Sequence, residues 1–265
     1  MEEKRYYPSF MNGVLMCVAY IIMSGVLGVT GIVLDKYQIS EHIIYSCNFI
    51  FVPLVSMGII IYYVRQKNGG GLKVYVGRKV SRVSLYVFLL LTSFGFFIVI
   101  NEVDNLIREV VDTKIYIEIM RQALGGNIIL VLVALVIIPA LLEELFFRGI
   151  ILRGFLEHYS PRMAIFLSAL LFGVIHLNVT QMVSGLLLGI FFGWVYIKSR
   201  SLYPVIFLHG FHNLMVVVLY RLFPGPEYVE LTEEVVHQPP GITLSGVLLA
   251  VLGIYFFTSG LENSE

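Results

Sequence analysis

PALLEELFFRG, residues 139–149, closes an apolar run that begins near Ile128 and sets two adjacent carboxylates, Glu143 and Glu144, and one guanidinium, Arg148, inside it. A charge at the middle of a membrane helix costs about 2.5–3.5 kcal/mol on insertion scales, so ionisable residues placed there mark function by default. Whether that cost applies depends on the rest of the chain. Of its 265 residues, 58% are hydrophobic and only 14% charged, and the mean hydropathy is +0.85. Soluble domains are about 45–50% apolar. The composition therefore reads as an all-α polytopic membrane protein, a single integral membrane domain over residues 1–265. The formal net charge is zero, with no global basic face, which argues against a nucleic-acid partner.

Working outward, a span needs about 20 apolar residues to cross a hydrocarbon core about 30 Å thick. Eight stretches qualify, near 10–34, 42–64, 83–101, 127–157, 161–178, 180–198, 203–222 and 241–259. The first, at about 24 residues, is longer than the roughly 7–15 of a secretory signal core and reads as a retained span. Pro139 is expected to kink the fourth. Residues 102–125 carry charges at helical spacing among Val, Leu and Ile and read as an amphipathic interfacial helix. Cys17 and Cys47 fall in apolar runs and read as small core residues, with no disulfide.

Charge sets the orientation. Residues 65–82 hold Arg65, Lys67, Lys73, Arg78, Lys79 and Arg82 with no acid, which the positive-inside rule assigns to the cytoplasm. Eight spans then leave both termini cytoplasmic. Lys4, Arg5, Arg153, Arg162, Lys198 and Arg200 fall on the same side, and Glu227, Glu230, Glu233 and Glu234 on the other.

The intramembrane polar residues form three groups: Glu143-Glu144-x-x-x-Arg148, Phe172-x-x-x-His176 and His209-x-x-x-Asn213. Residues four apart share a helix face, so Glu144 can pair with Arg148, and His209 can point with Asn213 into one cavity. Counting from the break at EHYSP (157–161), Glu143 and His176 each lie about 24 Å along antiparallel helices. His209 and Asn213 lie roughly 14–20 Å beyond the turn near residue 200. The three groups can therefore meet. Taken alone, each histidine reads more readily as a hydrogen-bonded core residue, a balance that reverses with Glu143 at matched depth, and Glu144 reads as an ion-pair lock for Arg148. His212 is one residue off the His209 face and reads as structural, Phe172 as packing, Arg153 as a snorkelling interfacial residue. Gly185, Gly189 and Gly193 form a small-residue stripe for close helix approach.

A buried carboxylate beside an imidazole and a cation can be tuned as a general base near neutral pH. An imidazole and an amide on another helix can donate to an oxyanion. This set suits amide hydrolysis by activated water. No Ser sits in a G-x-S-x-G setting and no Cys lies near the groups, which argues against a covalent nucleophile. A zinc reading stays open, with Glu143, His176 and His209 as three ligands and water as the fourth, although H-E-x-x-H is absent.

The ordered trio E-E-x-x-x-R, F-x-x-x-H and H-x-x-x-N, within residues 127–218, resembles the CPBP (CAAX protease and bacteriocin-processing, or Abi) family of intramembrane proteases. The resemblance implies an eight-span fold with an intramembrane catalytic cavity. It implies Glu143 as the base that activates water with help from His176, His209 and Asn213 as the oxyanion site, and Glu144, Arg148 and Phe172 in support. It implies a membrane protein or peptide as substrate, prenylated in only some members, and no required cofactor, with zinc as the alternative. Two other function classes compete: a non-proteolytic immunity or scaffold protein on the same fold, and a transporter. The absence of an internal repeat weighs against the transporter.

Overall fold

The computed structural model describes residues 7–70, 83–222 and 235–262. The basic stretch from Lys73 to Arg82, the acidic residues Glu227 to Glu234, and Lys4 and Arg5 lie outside them.

Among the described residues, nine helices build an all-α membrane domain. They are α1 (Phe10–Asp35), α2 (Glu41–Lys67), α3 (Val83–Arg108), α4 (Lys114–Gly125), α5 (Ile128–Phe155), α6 (Pro161–Val174), α7 (Val179–Ser199), α8 (Leu202–Leu222) and α9 (Pro240–Glu262). Seven are long and apolar enough to cross a bilayer. Their outer surface is apolar: Ile22, Val26, Phe51, Ile59, Val251 and Tyr255 are all exposed, as a lipid-facing surface requires.

Two expectations need correction. Residues 102–125 are not one interfacial helix. Their first part extends α3 to Arg108, and the chain then breaks before α4 starts at Lys114, whose N–H donates to Asp112 Oδ1 at 3.0 Å. Only α4 is amphipathic, burying Ile117, Ala123 and Leu124. The fifth apolar stretch is also not a full span. At 14 residues, α6 is about 21 Å long, short of the hydrocarbon core. The chain turns at Leu177 (φ 57°), and the Asn178 side chain accepts from Gln181 N at 2.9 Å to start α7. The sequence there is apolar on both sides of the turn, so hydropathy alone joins what a cap separates.

Antiparallel α6 and α7 form a hairpin. Its apposition relies on small residues. A methyl at Gly185 would stand 3.2 Å from Gly173 Cα, and one at Gly189 would stand 2.8 Å from Ala169 Cβ. The stripe read from the sequence thus does the packing expected of it. A second close contact, between α3 and α9, was not foreseen. A methyl at Gly95 would sit 2.5 Å from Ala250 N and Gly246 O.

The core lies where α5 passes through the bundle, with Phe146, Phe147, Ile150, Ile151, Leu152 and Phe155 fully buried against Phe192, Val195 and Leu208. At one end of the bundle, Tyr7 N donates to Asn68 Oδ1 at 3.2 Å and Phe10 packs on Phe155. Since α3 and α9 run antiparallel, the start of α3 and the end of α9 share an end of that pair: Gly260 faces Leu85.

Candidate active site

α5 is not a uniform helix. It widens over Leu132–Ile137 and again over Leu145–Leu152, where backbone bonds reach five residues back, as in Ile138 N–H to Val133 O. Such π-turns are frequent at functional sites. The first ends beside Pro139, the expected irregularity, and the regular turns between them, Ile138–Glu144, carry both glutamates.

The two carboxylates take different environments. Glu144 is fully buried and sends Oε1 to two partners: Arg148 Nη1 at 2.8 Å and His209 Nδ1 at 2.7 Å. Arg148, 1% exposed, also donates through Nη2 to Gly189 O at 3.2 Å and lies over the rings of Phe172 (4.7 Å) and Phe192 (5.4 Å). The charges are paired inside the core, while Glu144 Oε2 and Arg148 Nε are buried without a hydrogen-bond partner among the described residues. Glu143 instead lines a cavity of about 410 Å³, with its Oε2 3.8 Å from His209 Nε2. That separation exceeds a hydrogen bond, so the contact with His209 is a loose charge contact only.

Both imidazoles reach the same cavity with their orientation fixed. His176 lies just past the end of α6 rather than within a helix, and its Nδ1 is 2.9 Å from Phe172 O. A carbonyl only accepts, so Nδ1 carries a proton and Nε2 is the nitrogen left to the cavity. His209 gives Nδ1 to Glu144, which leaves Nε2 on the side of Glu143. Phe172 proves more than neutral packing. Its ring meets Arg148, His176 (5.3 Å) and His209 (5.9 Å), and its carbonyl anchors His176.

Asn213 also lines the cavity, while its Nδ2 donates to Leu135 O at 2.9 Å. His212, read as structural, is buried with its ring edge-on to Phe97, yet it too lies on the cavity wall. Tyr20, Asn101, Asp104 and Gln181 join the wall from α1, α3 and α7. No spacing rule links these residues to the motifs, and sequence reasoning missed them. Arg153 sits at the end of α5 and pairs with Glu157 at 3.1 Å.

Among the described residues no group of three His, Cys, Asp or Glu is arranged to hold a metal ion. His209 turns Nδ1 into Glu144 and leaves Nε2 on the cavity side, 3.8 Å from Glu143. Buried Cys17 is a free thiol.

Residues 125–215, the segment that carries all three groups, match the family model described as "Type II CAAX prenyl endopeptidase Rce1-like". This segment is similar to the CPBP family. Over 94 residues the chain is also 29% identical to the "Putative membrane peptidase YdiL" of Bacillus subtilis (strain 168). That match covers 36% of this chain and 38% of the relative, so the chain spans well under two thirds of the relative's length. No solved structure matches. The matched segment runs through α5, α6 and α7 into α8; α1 to α4 supply the rest of the cavity wall, and α9 packs on α3.

Proposed function

We propose that the chain is an intramembrane endopeptidase that hydrolyses a peptide bond in a membrane-associated protein or peptide. The observation that carries this reading is the division of labour in the glutamate pair: Glu144 is locked by Arg148 and His209, while Glu143 faces the cavity beside two imidazoles. In the reaction, a water in the cavity attacks the scissile carbonyl. Glu143 takes one of its protons, and His176 Nε2 accepts a hydrogen bond from the other. His209 donates through Nε2–H to the oxyanion. The proton held by Glu143 then passes to the leaving amine. Each oxyanion donor is worth about 10²–10³ in rate.

Water activation by Glu143 is proposed to need no metal, with a zinc version using Glu143, His176 and His209 as ligands as the alternative. A multi-pass location in the cell membrane with both termini cytoplasmic is proposed from the basic residues of 65–82. The short α6 does not disturb that count, since a hairpin returns to the side it left.

The test is cleavage in proteoliposomes of internally quenched peptides: a farnesylated C-terminal peptide, its unlipidated form, and an apolar membrane-spanning peptide. Wild type is expected to cleave at least one, Glu143→Gln none, and a chelator is expected to leave the rate unchanged. Full activity in folded Glu143→Gln removes the base assignment. A folded wild type inert on every peptide favours the non-proteolytic immunity or scaffold reading. Loss to a chelator with rescue by zinc favours the metal version.

A further inference from the structure

Pro139 stands in α5 one helical turn before Glu143 and has no N–H to give. In a regular helix, position 139 would donate to the carbonyl of Leu135. Its neighbour cannot deputise, because the Ile138 N–H goes to Val133 O. The carbonyl of Leu135, a residue that lines the cavity, therefore lacks the donor that a regular helix would supply four residues on. Asn213 Nδ2 reaches it at 2.9 Å from α8. The carbonyl can only accept, which dictates that the amide nitrogen faces it.

Asn213 also stands one turn after His209 in α8. One face of α8 thus grips α5 twice. His209 holds the Glu144 carboxylate at 2.7 Å, and Asn213 holds the backbone of the wide turn at the other side of Pro139. Glu143 lies between the two grips. We propose that Asn213 is a positioning residue: it supplies the hydrogen bond that Pro139 cannot, sets the pitch of α5 at its wide turn, and so aims Glu143 into the cavity. The catalytic half of this assignment rests on the peptidase reading above; the helix-pitch half does not.

The two roles of Asn213 separate in a double-mutant cycle with Pro139→Ala, because alanine restores an N–H at the position that lacks one. Asn213→Ala and the isosteric Asn213→Asp, which has no amide donor, are each expected to lower the Tm of the purified protein by about 2–4 °C. They are also expected to lower kcat on the cleaved quenched peptide at least about tenfold, with KM within about twofold. Adding Pro139→Ala to Asn213→Ala is expected to restore both. Strictly additive Tm changes overturn the proposal whatever the activity. Recovery of Tm without recovery of kcat also overturns the positioning role, since it assigns the loss to a direct contact between Asn213 and the reacting atoms. If the wild type cleaves none of the peptides, the peptidase reading fails, while the Tm cycle still decides whether Asn213 replaces the missing bond.

Discussion

His209 Nδ1 lies 2.7 Å from Glu144 Oε1, across 65 positions of sequence, and this contact decides which imidazole nitrogen faces Glu143. The same carboxylate oxygen accepts from Arg148, so a buried charge, its counter-charge and a site imidazole share one atom. Adjacent glutamates therefore fail differently when altered.

Glu143→Gln is expected to abolish cleavage with little change in melting, because Glu143 lines open space and makes no close ion pair. Glu144→Gln leaves Arg148 buried without its counter-charge, a loss of about 3–5 kcal/mol when one partner of a buried pair is removed. Thermal unfolding in detergent, read beside the peptide assay, checks the split. Equal melting temperatures for the two variants would contradict it.

Arg148→Lys keeps the positive charge but not the geometry. A lysine can meet Glu144, yet it cannot at the same time donate to Gly189 O and spread over Phe172 and Phe192 as the guanidinium does. The expected cost is about 1–3 kcal/mol, the range for losing a hydrogen bond to a charged group. A melting temperature equal to wild type would show that the charge alone suffices.

Gly95→Leu is expected to pry α3 from α9. Even a methyl there meets Ala250 N and Gly246 O at 2.5 Å, and backbone cannot step aside as a side chain can. Overpacking of this kind costs about 1–3 kcal/mol. Gly25→Leu is the control, since nothing stands within 4 Å of its would-be methyl. Similar melting temperatures for both variants would refute the contact.

Outside the spans, His237 ties the segment before α9 to the end of α3, with Nδ1 2.7 Å from Glu102 and Nε2 3.0 Å from Glu109. Hydrogen bonds to these carboxylates raise its pKa above 6.5. A raised imidazole contributes fully below its ordinary value and loses the contribution as pH climbs through the raised one. Amide exchange of residues 236–238 is thus expected to be slower at about pH 6 than at about pH 8.5, after correction for intrinsic rates, while the carboxylates stay ionised. His237→Phe should flatten that difference. An unchanged profile in the variant would assign the protection to Gln238 N on Glu102 instead, a bond of 2.9 Å that has no such pH dependence.

What the sequence determined by itself is what short spacing and composition control. Apolar length marked eight stretches, seven of which are long helices, while the structure shortened the fifth stretch to α6. An i, i+4 interval paired Glu144 with Arg148, and a small-residue stripe located the α6–α7 contact. Tertiary structure alone decided which glutamate faces the cavity, that His209 bonds Glu144, and that His176 hangs from the end of a short helix rather than riding on a long one. The physical reason lies in α5. Each wide turn advances the chain without the usual rotation, so a face counted in steps of 3.6 residues drifts out of phase, and packing sets where it points. The partner for the carbonyl stranded by Pro139 comes from 78 residues away, a distance over which periodicity carries no information.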